Sequence, residues 1–262
     1  MISKKTFALL LSIVGGLVFW ILAIAIASIT DDPDLAEPTL INRLFVMVGG
    51  SFPSGIIQAV TMMFFLYGLI TLLMHRKDII QEQTSFKLNL LPTGEQKILD
   101  PKQVNEIKLK MIELEQQGQS YQLISLIKKA CTQYRNEGSI SDTLQVIDHQ
   151  VEAMQEQSQS NYDILHYLAQ GIPSLGFLGT VLGISGAIGK FYLATDFSKL
   201  PQITSMLNIA FDTTFFSLFL GLILTYVFNR TQDNENKFYT RMREYVIDNL
   251  VSRIFHGGVK NA

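Results

Sequence analysis

Three polar side chains could do chemistry inside two long apolar stretches of the chain. GIPSLGFLGTVLGISGAIGKFY contains Thr180, and AFDTTFFSLFLGLILTYVFNR contains Asp212 and Thr214. A threonine hydroxyl does not titrate near neutral pH, but it can coordinate water or donate a hydrogen bond to a carboxylate. An unpaired aspartate near the centre of a membrane costs about 3 kcal/mol on insertion scales. Asp212 therefore indicates either direct ion handling or a polar partner hidden in the fold.

Small and hydroxylated residues recur on one face of each stretch when the chain is wound at 100° per residue. The first face holds Pro173, Gly176, Thr180, Gly183 and Ala187. The second holds Ala210, Thr214, Ser217, Gly221 and Thr225. Small residues let two helices approach closely in lipid, and they also permit a narrow, weakly polar passage. Helix packing and an ion path both remain open on this pattern.

The two threonines are expected at the same depth in the membrane. A hairpin that turns near residue 197 places Thr180 and Thr214 17 residues on either side of the turn. Several assembled subunits would then present a ring of hydroxyl groups.

Asp212 lies about 200° from Thr214 on a straight helix, so the two side chains face nearly opposite directions. If Thr214 faces an ion path, Asp212 faces the outer helices or a neighbouring subunit. There it would be protonated or bonded to a residue such as Gln58, Thr61 or Trp20. A structural polar link and direct ion handling both stay open for Asp212, and Thr213 beside it is a second buried polar residue of uncertain role.

The composition that surrounds these stretches is typical of a membrane protein. The 262 residues have a mean hydropathy of +0.24, and 17% of them are charged, against about a quarter in soluble domains. Apolar runs of about 20 residues predict spanning helices, and four such runs occur. We predict an all-α integral membrane protein with four transmembrane helices, a helical cytoplasmic domain between the second and third, and a cytoplasmic C-terminal helix.

The predicted organisation has six segments. They are a first transmembrane helix (1–29), a periplasmic loop with an apolar segment (30–53), a second transmembrane helix (54–74), a helical cytoplasmic domain (75–165), a channel hairpin of the third and fourth transmembrane helices (166–228) and a cytoplasmic amphipathic tail (229–262). The apolar part of the loop, 44–53, is expected either to pack on the outer face of the membrane or to extend the second helix with a kink.

The distribution of Lys and Arg predicts the orientation, because these residues accumulate on the cytoplasmic side. Ten of the 21 lie in the middle segment and six in the tail, against one in the loop between the first two spans. Both termini and the middle segment are therefore predicted to be cytoplasmic.

Several classes of function are disfavoured by the residues present. The net charge of −2 gives no reason to expect nucleic acid, and the single cysteine, Cys131, excludes an intrachain disulfide and a cysteine-built metal site. The four histidines lack ligand spacing, and the chain has no Walker loop, dinucleotide fingerprint, Ser/His/Asp set or HExxH motif. We therefore predict neither an enzyme nor a bound cofactor.

The two apolar stretches together resemble the MotA/TolQ/ExbB proton-channel family. Its hairpin has the pattern P-x-LGLLGTVxG, followed by AL-x-x-T-x-x-GL and an ending similar to Y-x-x-N-R. The matching residues are Pro173, Leu175, Gly176, Leu178, Gly179, Thr180, Val181, Gly183, Ala210, Thr214, Leu218, Asn229 and Arg230. The resemblance covers about 60 of the 262 residues. Four predicted spans are similar to the MotA layout, whereas the ExbB and TolQ types have three.

The resemblance implies an ion-driven motor or stator subunit of the bacterial inner membrane. Members form a pentameric ring around two copies of a single-span partner similar to MotB, ExbD or TolR, whose aspartate takes up the ion. Protons are the favoured ion and sodium is the alternative.

By position, the resemblance makes Thr180 and Thr214 the pore threonines and Pro173 the residue at the cytoplasmic entrance. Ser217 is expected to add an oxygen to the ion path. The small residues of the two faces are expected to pack the helices together: Gly176, Gly179, Gly183, Ala187, Ala210 and Gly221.

This chain departs from the family pattern at two points. Phe215, Phe216 and Ser217 replace a small residue followed by Gly-Leu, and Asp212 replaces an apolar residue. The middle segment has no charge cluster that aligns with the family's torque-generating one. The process that the complex powers, whether flagellar rotation, gliding, import, envelope maintenance or defence, therefore stays open. A membrane scaffold or signalling protein is the alternative function, and a secondary transporter is disfavoured by the small number of spans and the lack of an inverted repeat.

Overall fold

The protein is described here from a computed structural model, which covers residues 4–31, 39–50, 54–92, 98–193 and 199–254. Within these ranges the chain is helical and contains no β-strand beyond an isolated bridge between Leu99 and Ile254. The helices are α1 (Lys4–Thr30), α2 (Leu40–Gly49), α3 (Ser54–Gln83), α4 (Pro101–Gln116), α5 (Gln122–Glu137), α6 (Ile140–Gly189) and α7 (Leu200–Asn249).

Four of these helices, α1, α3, α6 and α7, are long and apolar enough to cross a membrane. This confirms the predicted helical class and the number of candidate spans. The helices α6 and α7 have 50 residues each, or about 75 Å at 1.5 Å per residue. A span needs only about 20 residues, so each of these two helices also has a long part outside its apolar run.

The chain divides into two compact units. The first unit comprises Met1–Met74 and Asp163–Arg230, and the second comprises His75–Tyr162 and Thr231–Ala262. The helices α6 and α7 contribute residues to both units.

In the first unit, α2 runs antiparallel to α1. Near the start of α2, the Asn42 side-chain amide donates to the Ala27 carbonyl oxygen at 2.7 Å. At its end, the Gly49 carbonyl oxygen accepts from the Trp20 indole at 2.7 Å. The Trp20 ring also lies against Gly55, near the start of α3. The helix α2 thus runs back along α1, and its last residue, Gly49, lies near Gly55 of α3. The two alternatives for residues 44–53 both stay open, since residues 51–53 lie outside the described part of the chain.

The second unit has a hydrophobic core built around α5. The buried face of α5 includes Leu123, Ile124 and Ile127, and α6 and α7 pack further apolar residues against it. The helical stripe Leu144, Ile147, Val151 and Met154 contributes to this core, as do Phe238, Met242, Tyr245, Val246 and Leu250 of α7. These two stripes are therefore packing surfaces.

The C-terminal end of α7 is tied to the segment before α4. Arg253 donates from Nη1 to the Pro92 carbonyl oxygen at 2.8 Å, and its own carbonyl oxygen accepts from the Leu99 N–H at 2.7 Å. The Leu91 N–H donates to the Tyr245 hydroxyl at 3.2 Å. These bonds close the core of the second unit with polar contacts between segments far apart in sequence.

Candidate functional site

The hydroxyl groups of Thr180 on α6 and Thr214 on α7 are in hydrogen-bond contact with each other. Both also reach the same two backbone carbonyls. Thr180 Oγ1 lies 3.3 Å from the oxygens of Gly176 and Ala210, and Thr214 Oγ1 lies 3.2 Å and 2.9 Å from them. The result is a compact cluster of four oxygens that joins the two helices.

The cluster has more acceptors than donors. Each hydroxyl has one proton, whereas each oxygen can accept, so two protons serve five close contacts. The hydroxyl rotors can therefore exchange partners between the carbonyls and each other. Both threonine side chains are partly exposed, which leaves the cluster open on one side to a further polar group.

Glycines on α6 allow the two helices to approach closely enough for the threonine hydroxyls to meet. A methyl group added at Gly179 would lie 2.6 Å from the Thr213 Cβ atom, and one added at Gly183 would lie 2.7 Å from the Ala210 Cβ atom. A methyl group at Gly176 would collide with the Ser217 hydroxyl. The small-residue faces of α6 and α7 are thus in direct contact in the folded hairpin, which agrees with the packing that small residues permit in lipid.

Pro173 and Gly221 form a further contact along the same interface. A methyl group added at Gly221 would lie 2.9 Å from the Pro173 Cγ atom. Pro173 stands inside α6, which continues on both sides of it. Ala187 is buried near the other end of the hairpin. The contacts from Pro173 to Gly183 therefore follow one interface, and Ala187 is buried one turn beyond them on the same helix.

Ser217, which the sequence places on the face of Thr214, is fully buried. Its hydroxyl donates to the Thr214 carbonyl oxygen at 3.0 Å, and its side chain lies against Gly176. Thr213 is also buried, and its hydroxyl donates to the carbonyl oxygens of Ile209 at 3.0 Å and Ala210 at 3.1 Å. Both hydroxyls thus bond to their own helix, whereas Thr180 and Thr214 bond across the hairpin.

Asp212 has a charged neighbour that the sequence reasoning missed. The charge that acts on this carboxylate is that of Arg43 on α2. The three residues considered as partners from the sequence bond elsewhere. Trp20 donates to the Gly49 oxygen, Gln58 to the Met47 oxygen and Thr61 to the Ile57 oxygen. Arg43 is the one basic residue between the first two spans. This was the feature of the sequence from which a charged neighbour of Asp212 could have been inferred.

Large apolar side chains form an exposed stripe along α7 beside Thr214. It consists of Phe211, Phe215, Leu218, Leu222 and Tyr226. Their spacing of three and four residues puts them on one helix face. Thr214 lies at the boundary between this stripe and the buried residues that face α6. This boundary position explains why Thr214 is partly exposed while Thr213 and Ser217 are buried.

Within the described part of the chain, no group of three or more His, Cys, Asp or Glu residues could hold a metal ion. The hydrogen bonds of the threonine cluster are made to carbonyls and between the two hydroxyls. The cluster can therefore donate to an anionic group, but it contains no residue that titrates near neutral pH. A proton carrier at this point has to come from another residue or another chain.

Comparison with known proteins supports the resemblance. Residues 119–244 match the sequence profile of the MotA/TolQ/ExbB proton channel family, and this range includes Thr180, Thr214 and the interface between α6 and α7. The chain is also similar to Motility protein A of Bacillus subtilis (strain 168), with 24% identity over 107 residues. That match covers 41% of this chain and 37% of the relative, so the chain spans well under two thirds of the relative's length. No solved structure matches this chain.

Proposed function

Because residues 119–244 carry the signature of the MotA/TolQ/ExbB proton channel family, we propose that this chain is the channel-forming subunit of an ion-driven motor complex. The complex lies in the bacterial inner membrane and couples the ion gradient to mechanical work. Both termini of the chain are cytoplasmic, in keeping with the distribution of Lys and Arg.

The observation that carries this proposal is the oxygen cluster of Thr180 and Thr214. An ionised carboxylate brought to the open side of the cluster would accept hydrogen bonds from both hydroxyls, and charge-assisted bonds of this kind are stronger than neutral ones. After the carboxylate takes up a proton, the hydroxyls can turn back to the carbonyl oxygens of Gly176 and Ala210. The cluster would therefore stabilise the ionised carboxylate more than the protonated one.

The carboxylate in this mechanism belongs to a partner chain similar to MotB, ExbD or TolR. Such a partner has a single span with an aspartate. In the proposed complex, five copies of the present chain surround two partner helices, and the ring places five threonine pairs at one depth. Movement of the partner's aspartate from one pair to the next would couple proton uptake and release to rotation.

Protons are the proposed ion. A sodium ion needs several oxygens at defined distances, and the cluster brings together two hydroxyl and two carbonyl oxygens. These oxygens are engaged with each other within the hairpin, so binding of sodium would require them to separate. Flux measured at fixed pH while the sodium concentration is varied distinguishes the two ions, and a proton channel is expected to be independent of sodium.

The test of the proposal is ion flux in proteoliposomes that contain the chain and its co-purified partner. Thr180→Val and Thr214→Val keep the side-chain shape but remove the hydroxyl, and each is expected to lower flux at least tenfold with the complex still assembled. Thr204→Val is the matched control, because Thr204 is exposed on α7 and donates to its own helix at Leu200. Unchanged flux in both threonine variants, with function lost on substitution within residues 100–160, would instead support a membrane scaffold.

A further inference from the structure

A cavity of about 480 Å³ lies within the second unit. It is bordered by residues of α3, α4, α5, α6 and α7 and by the turn before α5. Its volume falls in the range of about 300–1,000 Å³ that is usual for small-molecule sites. The hairpin residues that carry the proposed channel function, Thr180 and Thr214, do not border this cavity.

The deepest polar group in the cavity wall is the carboxylate of Glu235, which is 9% exposed. Its donors are hydroxyls. Tyr162 donates at 2.5 Å and Tyr239 at 3.3 Å, and the Ser158 hydroxyl also donates to it. A buried carboxylate is costly unless hydrogen bonds compensate for lost hydration. The three hydroxyls compensate for this loss of hydration and hold the carboxylate at the cavity wall.

A second acceptor in the wall is left unsatisfied. The side-chain oxygen of Gln122 is buried and has no hydrogen-bond partner, although Gln122 borders the cavity. The N–H of the same residue donates to the Glu82 carboxylate at 2.9 Å. This oxygen has almost no accessible surface, so it lies behind the cavity wall, and the Glu82 carboxylate is the acceptor that borders the cavity beside it.

The other lining residues also favour a ligand that is positively charged and donates hydrogen bonds. They add the carboxylates of Asp78 and Glu115 and several side-chain amides, and the lining residues that the structure describes include no lysine or arginine. Glu115 is paired with Lys128 outside the lining. A phosphate or carboxylate ligand would meet like charge here, and no described group of His, Cys, Asp and Glu could hold a metal ion.

The wall also has an apolar side. Ile79, Met154 and Phe238 border the same cavity, beside the rings of Tyr121 and Tyr239. Methylene groups can pack against such side chains, and aromatic faces attract cations. The matching ligand therefore has N–H donors, positive charge at more than one point and a short carbon chain between them.

We propose that the cavity of the second unit is a binding site for a small aliphatic polyamine. One ammonium group meets Glu235, another meets Glu82, and the carbon chain packs against Phe238. This site is independent of the proposed channel function, since all of its residues belong to the second unit.

The probe for this proposal is spermidine, added to the full-length chain in phosphatidylcholine nanodiscs, with empty nanodiscs as the blank. Isothermal titration calorimetry is expected to give one site per chain, and triethylene glycol, which is uncharged, is expected not to bind. Glu235→Gln is expected to weaken binding at least tenfold. Glu244→Gln is the matched control, because Glu244 is exposed on the same helix and does not line the cavity. Equal affinity in Glu235→Gln and the native chain, or no binding heat up to about 10 mM spermidine, tenfold above a Kd of about 1 mM, would overturn the proposal.

A second variant covers the case in which Glu235→Gln does not fold. Asn161 is exposed at the cavity rim, and Asn161→Lys adds a competing positive charge without disturbing the core. It is expected to weaken spermidine binding at least tenfold. Labelling of Cys131, which is buried in the core of the same unit, gives a separate readout. A ligand that binds only the folded unit lowers its opening by the factor 1 + [L]/Kd, so spermidine should slow labelling in the native chain and not in Asn161→Lys.

Discussion

Thr180 and Thr214 share both of their backbone acceptors across the hairpin. Each hydroxyl bonds within its own helix, Thr180 to Gly176 and Thr214 to Ala210, and each also reaches the other helix's carbonyl. The two crossed bonds and the contact between the hydroxyls make the pair one polar unit. Removal of either hydroxyl therefore also alters the hydrogen bonds of the other.

This sharing predicts strong non-additivity in the ion flux. Thr180→Val and Thr214→Val should each lower flux at least tenfold, and the double variant should be little worse than either single variant, because groups that act as a unit lose their effect together. Thr214→Ser keeps the hydroxyl and should retain most of the flux. The measurement is flux in proteoliposomes, normalised to assembled complex. A shared role would be contradicted if the loss of flux in the double variant equalled the product of the losses in the two single variants.

Gly179→Ala should destabilise the hairpin, since the added methyl group would lie 2.6 Å from the Thr213 Cβ atom. Overpacking of this kind costs about 1–3 kcal/mol, and it should lower the melting temperature of the detergent-solubilised complex. Gly189→Ala is the matched control at the end of α6, where nothing lies within 4 Å of an added methyl group. Thr213→Gly removes that Cβ atom, so Gly179→Ala should cost less in the Thr213→Gly background than in the native chain, and an equal cost would mean that the contact is not the cause.

Asp212→Asn should leave the complex assembled and the flux within about twofold of the native value, because the pore in the proposed function is lined by Thr214, on the opposite side of α7. Asp212 also experiences the positive charge of Arg43 on α2. We expect a modest loss of thermal stability, since an exchange of carboxylate for amide removes only the charge. Assembly with lost flux would place Asp212 in the ion path instead.

Cys131 should react with thiol reagents very slowly in the folded protein. The side chain is 1% exposed, and burial raises the pKa of its thiol to about 12 from 9.0, with a smaller opposing effect of Lys108. At pH 8, maleimide labelling should be at least 100-fold slower than for Ser160→Cys on the exposed face of α6, because the thiolate is the reacting form. Equal labelling rates would show that the core of the second unit opens readily.

The same pKa shift fixes the sign of a pH effect on stability. The folded pKa lies above the unfolded one, so the contribution of Cys131 is complete below pH 9 and is lost as the pH rises towards 12. Chemical unfolding followed at pH 8 and pH 10 should show a smaller loss of stability in Cys131→Ala than in the native chain.

Arg253→Ala should destabilise the second unit by about 1–3 kcal/mol, since hydrogen bonds of this kind contribute about 0.5–1.5 kcal/mol each. The guanidinium donates to the carbonyl oxygens of Pro92 and Asp248 and to the Asn249 side chain. Arg253→Lys retains the charge without the planar set of donors, and its stability should lie between that of the native chain and that of Arg253→Ala. Thermal unfolding followed by circular dichroism measures the loss of stability. Lys110→Ala is the control, because Lys110 is exposed on α4.

Much of the architecture could be predicted from the sequence because it depends on local patterns. The length of an apolar run is fixed by the thickness of a bilayer, and four runs correspond to four candidate spanning helices. The stripe around Ile147 and Val151 and that around Met242 and Val246 follow from the helical period, and both lie in the core. The family hairpin was recognisable because its residues are contiguous in two short stretches.

Tertiary contacts decided the features that depend on residues far apart in sequence. Periodicity put Ser217 and Thr214 on one face, but the packing of α7 against Gly176 buries Ser217 and leaves Thr214 at the boundary. The sequence shows Arg43 only as the one basic residue between the first two spans, and its effect on Asp212 depends on the packing of the short helix α2 along α1.

The sequence by itself thus determined the helices, their apolar faces and the hairpin threonines, because these depend on the order of residues along one helix. The tertiary structure alone decided that the Thr180 and Thr214 hydroxyls share their acceptors. It also brought Glu82, Gln122 and Glu235, from three different helices, to one cavity. Such meetings depend on how helices pack in three dimensions, which a one-dimensional period does not encode.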